Sequence, residues 1–142
     1  ARALLRIAGG FGFTLACCGD DIPDDGTVSH SFSRPEDVAS HAGGNAERYV
    51  IVATQGAGDV ASLTTALRMP NSYLAFVGSR KKFASYRERL LAAGIAASNI
   101  DLVRSPAGLH INAVTPEEIA LSVMAEIVQT RRSARRAEAV NG

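Results

Sequence analysis

Residues 49–59 read Tyr-Val-Ile-Val-Ala-Thr-Gln-Gly-Ala-Gly-Asp, and this stretch decides the fold of the chain. Its first six residues are apolar or β-branched, which is typical of a strand buried on both faces of a parallel sheet. A glycine-rich turn at 55–59 follows directly, and apolar residues then recur at helical spacing from Val60 until Pro70 ends the helix. A buried strand, a tight turn and a helix in this order indicate one repeat of a parallel sheet.

The same alternation of short apolar runs and amphipathic stretches continues along the chain. It predicts further strands at 13–18, 28–32, 73–77 and 102–103, and helices at 2–9, from 34 to 38, from 79 to 93 and after Thr115. The last helix has the clearest start, because Thr115 precedes a proline and two glutamates in the pattern of a capping box. The order of elements predicts an α/β fold with a mainly parallel sheet.

The composition limits the class of protein. The 142 residues suffice for one domain, and 46% hydrophobic against 20% charged residues excludes a disordered chain. No apolar run approaches the ~18 residues of a membrane span, so we expect no membrane association. The formal net charge is only +1, so we expect no nucleic-acid partner either.

Cys17 and Cys18 are adjacent and cannot build a disulfide framework. No secretory signal precedes them, so we expect a reducing, cytoplasmic setting. Neighbouring strand residues point to opposite faces, so the two thiols cannot share a metal ion, and we expect them to be buried in the core. The three histidines show no metal-ligand spacing, and we predict no metal site. Because the chain begins with Ala1, we expect a fragment or a processed product.

The turn after the first quoted strand matches a dinucleotide-binding pattern. Residues 56–61 fit G-x-G-x-x-A, in which Gly56 and Gly58 let backbone amides approach a pyrophosphate. Arg80, after the next strand, suits a 2′-phosphate, and together these features favour NADP. A tight turn that needs glycine only for its backbone conformation explains the same pattern without a ligand.

Two groups of charged residues leave alternatives open. Ser79 to Lys82 puts three cations at a helix start, where the helix dipole disfavours them unless a phosphate binds there. Long side chains that extend into water would make that penalty small without any ligand. Glu126 lies at the edge of the apolar stripe of the last helix, so it either lines a crevice or belongs to a solvated flank.

Four short segments, in this order and spacing, carry a resemblance to a known family. They read Thr-Gln-Gly-Ala-Gly-Asp at 54–59, Gly-Ser-Arg-Lys-Lys at 78–82, Pro-Ala-Gly-Leu-His-Ile at 106–111 and Thr-Pro-Glu-Glu-Ile-Ala at 115–120. They are similar to the T-H-G-x-G-D, G-S-R-R-K, P-V-G-L-D-I-G and T-P-E-E-I-A motifs of the XdhC/CoxI family. The resemblance covers about residues 49–130 and implies the family's C-terminal domain, which is Rossmann-like and doubly wound with a mainly parallel sheet.

Members of that family assist the maturation of molybdenum hydroxylases such as xanthine dehydrogenase and carbon monoxide dehydrogenase. The resemblance implies a chaperone rather than a catalyst, so no catalytic residue is assigned. Such a domain would bind the molybdenum cofactor (molybdopterin), support its sulfuration by a cysteine desulfurase and deliver it to the apo molybdenum hydroxylase. The cofactor-binding residues that the matching motifs imply are Thr54, Gly56, Gly58, Asp59, Gly78, Ser79, Arg80, Lys81, Pro106, Gly108, Leu109 and Glu117.

Two other functions explain part of the sequence. An NAD(P)-binding oxidoreductase fragment, with NADP as its cofactor, accounts for the glycine turn and Arg80. A plain interaction domain whose nucleotide site has decayed is the other hypothesis. The sequence also departs from the family motifs at three positions. Gln55 replaces a histidine, His110 an aspartate and Asn112 a glycine. Any ligand role of the family's histidine or aspartate would be lost here.

The start of the chain departs most from the family. Family domains open with a strand and a G-x-G-H-V-A loop before the helix that matches residues 2–9, and that first strand is missing here. In a doubly wound sheet it would lie between the strands at 13–18 and 49–54, so we predict a gap at the centre of the sheet. The gap could close directly, take a strand from another copy or reflect an incomplete chain. We favour a homodimer or an incomplete chain, with one domain at 1–130 and a basic frayed tail at 131–142.

Overall fold

The computed structural model describes residues 1–41 and 47–141 and confirms the α/β class. Its strands are β1 (Ala16–Cys18), β2 (His30–Phe32), β3 (Tyr49–Val52) and β4 (Tyr73–Phe76). Its helices are α1 (Arg2–Gly9), α2 (Pro35–His41), α3 (Asp59–Arg68), α4 (Arg80–Ser85), α5 (Arg87–Ala92), α6 (Ala97–Ile100) and α7 (Pro116–Asn141). The predicted strands and helices are thus present with shorter strands, except at 102–103, and α6 is an element that the sequence pattern did not predict.

Strand β4 lies between two hydrophobic clusters, and all four of its residues are buried. Leu74 and Phe76 belong to a cluster formed with α3, α5 and α6, whereas Tyr73 and Ala75 belong to a cluster formed with α1 and α7. Successive strand residues point to opposite faces, so helices cover both faces of this strand. This arrangement explains why the strand reads as a continuous apolar run instead of an alternating one.

The sheet is divided into two pairs of strands. β1 pairs with β2 and β3 pairs with β4, both in parallel, and within the described residues no ladder joins β1 to β3. The predicted gap is therefore present, and the two inner strands have not closed against each other. Side chains bridge the division instead, because the ring of Phe13 meets that of Tyr49 edge-on at 5.6 Å.

The segment after α6 differs from the strand predicted at 102–103. Leu102 is 75% exposed, and the pairing with β4 comes later, where Arg104 forms a parallel bridge with Ala75. The Phe76 N–H donates to the Arg104 carbonyl, and the Arg104 N–H donates to the Leu74 carbonyl, both at 2.9 Å. The loop that follows is thereby brought to the carboxyl end of β4.

The helix predicted at 79–93 is interrupted at Tyr86 and forms α4 and α5. The Ser85 hydroxyl donates at 2.6 Å to the Lys82 carbonyl, which is the group to which the Tyr86 N–H would donate in a continuous helix. The Tyr86 N–H donates to the Phe83 carbonyl instead, as in a tighter turn. A local side-chain hydrogen bond thus explains the break.

Helix α7 begins where the sequence predicts and ends later than expected. The Glu118 N–H donates to Thr115 Oγ1 at 3.2 Å, and Glu118 Oε2 accepts from the Thr115 N–H at 2.9 Å, which completes the capping box. The N–H groups of Thr115 and Val114 both donate to the Glu118 carboxylate, and they hold its pKa below its ordinary value. The tail expected to fray at 131–142 is helical to Asn141, since alanine, arginine and glutamate are strong helix formers.

The expectation of buried cysteines is wrong. Cys17 is half-buried and Cys18 is exposed, because β1 belongs to the smaller pair of strands, which contributes no residue to the two buried clusters. Burial that is only partial still raises the pKa of the Cys17 thiol. Among the described helices, none combines the length and apolar character that crossing a membrane requires.

The N-cap of α7 yields a direct test. Replacing Thr115 with alanine removes the acceptor for the Glu118 N–H and should lower the free energy of unfolding by about 1 kcal/mol. Chemical denaturation followed by circular dichroism would measure the change. Thr130→Ala, inside the same helix, is the control and should change stability much less. Equal effects of the two substitutions would contradict the capping role.

Candidate functional site

An open cleft of about 770 Å³ lies at the carboxyl end of β4. One wall is the turn from β4 into α4, at 77–80, and the other is the loop at 103–113. Helix α7 contributes three side chains, Ile119, Ser122 and Glu126. The carboxyl ends of parallel strands are where ligands bind in open α/β sheets, so this cleft is the candidate site.

Half of the residues expected to bind a cofactor line this cleft, and half do not. Those that line it are Gly78, Ser79, Arg80, Pro106, Gly108 and Leu109. Those outside it are Thr54, Gly56, Gly58, Asp59, Lys81 and Glu117. The cleft also contains Arg104 and Glu126, which the motif-based selection omitted. Residues of the second, third and fourth family-like segments thus meet in space, while the glycine turn lies beside them.

Gly108 fixes the distance between the loop and α7. Its φ is +97°, and a β-carbon there would lie 2.9 Å from both the Ser122 carbonyl carbon and the Val123 nitrogen. Its N–H donates to Glu126 Oε2 at 2.9 Å, and the next N–H, of Leu109, donates to the Ser122 carbonyl at 3.0 Å. Glycine is required because only a residue without a side chain lets the loop backbone lie directly on the helix.

Glu126, on α7, connects that helix to strand β4 and to the loop at 103–113. It is only 7% exposed, and its Oε2 accepts hydrogen bonds from Tyr73 Oη at 2.6 Å and from the Gly108 N–H. Burial, together with the hydrogen bond to Glu126, raises the pKa of the Tyr73 phenol far above its ordinary value. Of the two alternatives for Glu126, the crevice is the correct one. Its position at the edge of the apolar stripe of α7 was the signal that could have selected it.

The three cations at the start of α4 do not act as one group. Arg80 is exposed and lines the cleft, whereas Lys81 is exposed outside it. Lys82 lies toward the glycine turn, where its Nζ forms an ion pair with Asp59 Oδ2 at 3.0 Å. The Ser79 hydroxyl already accepts from the Lys82 N–H at 3.1 Å. Of the three cations, only Arg80 therefore lines the cleft, together with Ser79, and one N–H at the helix start, that of Lys82, is already bound.

A buried carboxylate holds the glycine turn against α4 and α5. Asp59 is 3% exposed, and its Oδ2 accepts from Tyr86 Oη at 2.5 Å as well as pairing with Lys82. The hydrogen bond to Asp59 raises the pKa of Lys82. Lys82 Nζ also lies 3.7 Å from the point where a β-carbon on Gly56 would stand. The glycine turn and the cleft wall are thereby joined through Lys82.

The three departures from the family motifs occupy different places. His110 and Asn112 line the cleft, and Gln55 is exposed on the glycine turn outside it. Asn112 has a left-handed backbone with φ of +58°, a conformation that asparagine tolerates better than most residues. In residues 1–41 and 47–141, no three His, Cys, Asp or Glu side chains are grouped closely enough to hold a metal ion.

The close contact at Gly108 can be tested with a matched pair of glycines. Gly108→Ala adds a β-carbon that collides with α7 in a strained backbone conformation, and should lower the free energy of unfolding by about 2–5 kcal/mol. Gly12 also has a positive φ, of +75°, but no atom of the described residues lies within 4 Å of its added β-carbon. Gly12→Ala should therefore cost only about 1–2 kcal/mol. Urea denaturation measures both, and equal losses would refute the contact with α7.

Comparison with known proteins identifies relatives of this chain, including the following two. The Escherichia coli K12 protein YqeB, described as uncharacterised, is 34% identical over 88 residues, which are 62% of this chain and 16% of YqeB. A Bacillus halodurans protein, whose crystal structure was described as that of a xanthine dehydrogenase, superimposes with a TM-score of 0.74. It is 26% identical, and the match covers 96% of this chain and 42% of that one. The chain thus spans less than half the length of either protein.

The family comparison agrees with the motifs and with the cleft that they form. The model for the XdhC Rossmann domain matches residues 1–127, which include α1, the four strands described above and the three cleft residues of α7. The match therefore extends over the first 48 residues, where the motifs alone gave only a loose resemblance. This chain belongs to the XdhC Rossmann domain family.

Proposed function

We propose that this domain binds the molybdenum cofactor, as molybdopterin, in the cleft and assists the maturation of a molybdenum hydroxylase. The observation that carries the proposal is the convergence of three family-like segments on one cleft. That cleft holds two arginines, Arg80 and Arg104, and one buried carboxylate, Glu126. Molybdopterin combines an anionic phosphate with a heterocycle rich in N–H donors, so it offers a partner for both kinds of charge.

The phosphate of the cofactor fits the cationic side of the cleft. Arg80 and Ser79 stand on one wall and Arg104 on the other, and the Arg104 side chain is 50% exposed. Guanidinium groups bind phosphate through charge-assisted hydrogen bonds, which contribute about 1.5–3 kcal/mol each. Because α4 has only six residues and Ser79 already accepts the Lys82 N–H, the anion contacts of this proposal come from side chains.

The cellular role of the proposal follows from the family and from the structural relative. The clients would be enzymes such as xanthine dehydrogenase or carbon monoxide dehydrogenase in their apo form, met in the cytoplasm. The domain would present the bound cofactor to a cysteine desulfurase for sulfuration and then pass it to the client. It would act as a chaperone and not as an enzyme. The Bacillus halodurans relative, described as a xanthine dehydrogenase, supports a connection with that enzyme system.

An NADP-dependent oxidoreductase is less compatible with the glycine turn. In the dinucleotide-binding pattern the pyrophosphate lies at the start of the helix after the glycines, which here is α3. The first residue of α3 is the buried Asp59, and its carboxylate is already paired with Lys82. Lys82 is thus committed to Asp59, whereas Arg80 and Arg104 line the cleft, so the proposal takes molybdopterin over NADP.

The identity of the ligand is open to direct measurement. The native full-length protein, purified under reducing conditions, should release molybdopterin that mass spectrometry identifies. Recovery of NADP in its place would overturn the proposal in favour of the oxidoreductase. Arg80→Ala should weaken cofactor binding by about 1.5–3 kcal/mol, since it removes one charged hydrogen bond. Lys81→Ala, one residue further and outside the cleft, is the matched control and should bind as the wild type does.

The divided sheet bears on the oligomeric state. The inner edges of β1 and β3 are unpaired with each other, and unpaired strand edges favour association with another chain. In this proposal the 142-residue chain forms a homodimer. Light scattering should then give twice the mass of 14.9 kDa. A constant monomeric mass at every concentration would exclude the dimer.

A further inference from the structure

The two oxygens of the buried Glu126 carboxylate have different surroundings. Oε2 accepts two short hydrogen bonds, from Tyr73 Oη at 2.6 Å and from the Gly108 N–H at 2.9 Å. Oε1 lies 3.5 Å from Nη1 of Arg104, which is longer than the 2.7–2.9 Å typical of a charge-assisted hydrogen bond. One oxygen therefore fixes the carboxylate in place, and the other keeps acceptor capacity at the cleft.

Arg104 is a loose partner for that second oxygen. Its side chain is 50% exposed while that of Glu126 is 9% exposed, so the arginine can leave toward solvent and the glutamate cannot. A second polar group on the same wall also awaits a partner. The Ser105 hydroxyl lines the cleft, is buried and has no hydrogen-bond partner among the described residues. A buried hydroxyl without a partner costs free energy that a ligand would recover.

We infer that Glu126 and Arg104 form an exchangeable ion pair, which opens when a ligand supplies both an N–H-rich heterocyclic edge for Glu126 Oε1 and an anionic group for Arg104. The ligand class is a 2-amino-4-oxo-pyrimidine-containing ring, as in pterins and guanine, that carries a phosphate. This inference rests on the proposed function and names the part of the cofactor that Glu126 recognises by hydrogen bonding.

The chemistry of the pair explains why that edge fits. Adjacent N–H and amino groups on such a ring offer a carboxylate two donors side by side, much as a guanidinium does. The ring edge of the ligand thus takes the place of the Arg104 guanidinium as the donor to Oε1. Arg104 is then free to bind the phosphate. An adenine ring offers one amino donor beside a ring nitrogen lone pair, which a carboxylate repels. Glu126 would therefore discriminate a pterin or guanine ring from the adenine of NADP.

Guanosine and adenosine monophosphates provide the probes, because they share the phosphate and ribose and differ in the ring edge. Isothermal titration calorimetry on the wild-type chain should give a Kd for GMP about tenfold or more below that for AMP. Glu126→Gln puts an amide N–H group in place of the Oε1 acceptor and should remove this preference by weakening GMP alone. Glu138→Gln, an exposed position near the end of α7, should bind as the wild type does.

Arg104→Ala separates an exchangeable pair from a purely structural one. The substitution removes the phosphate partner, so it should weaken binding of AMP, and weaken GMP less than AMP because it also frees Oε1 for the guanine ring. For the same reason it should strengthen binding of guanosine, which has no phosphate. Thermal unfolding of each variant identifies any that fail to fold. If Glu126→Gln fails to fold, Arg104→Ala still tests the inference, because Arg104 is exposed.

The outcomes distinguish this inference from the proposed function. Equal affinities of the wild type for GMP and AMP, or no measurable binding of GMP, would overturn the inference. Molybdopterin recovered from the native protein would then still support the proposed function. A GMP preference that Glu126→Gln abolishes would support the inference even if the native protein released no molybdopterin, which would count against the proposed function alone.

Discussion

Strand β4 is enclosed on both faces and paired along both edges, and the rest of the domain depends on that enclosure. β3 pairs with one edge, and Arg104 bridges to the other. Phe76, with no exposed surface, and Tyr73 serve opposite clusters. Burial of such a side chain contributes about 1.5–3 kcal/mol, so helices are held on both sides by one four-residue strand. Since the cleft walls begin where β4 ends, the same enclosure positions the site.

The charges near the cleft are divided into two systems with different surroundings. Lys82 pairs with Oδ2 of the buried Asp59 beside the glycine turn, and Tyr86 donates to the same oxygen, while Asp59 Oδ1 has no hydrogen-bond partner among the described residues. Arg104 approaches Glu126 at a longer distance, with its own side chain half in solvent. Under the proposed function, the looser pair at the cleft is the one that contacts the ligand, although the glycine turn has the better-known sequence pattern.

The division of the sheet leaves α1 and α7 to connect the two halves. Ala8 of α1 is buried in the cluster that contains Val123 and Ile127 of α7. Arg131, beyond the family-matched region, lies with its guanidinium carbon 5.0 Å from the centre of the Phe13 ring, a cation–π contact. These contacts hold β1 and β2 close to the main sheet without any backbone ladder to β3 among the described residues. They also show that Arg131, at the start of the basic end of α7, packs against the domain, which a solvated tail would not do.

The sequence by itself determined the features that depend on neighbouring residues: the α/β order, the glycine turn after β3, the capping box at Thr115 and the helix at the start of the chain. Each is a local preference, expressed within a few residues by hydrogen bonds or side-chain period. Only the tertiary structure decided that Lys82 pairs with Asp59, that Lys81 and Glu117 lie outside the cleft, that the cysteines are not in the core and that Glu126 faces Arg104. Those outcomes depend on which elements meet in space, and the sequence pattern of a single helix or strand carries no record of its distant partner. The gap at the centre of the sheet depends on both sequence and packing. The family pattern predicts a gap between β1 and β3, but only the packing decided that these two strands remain apart.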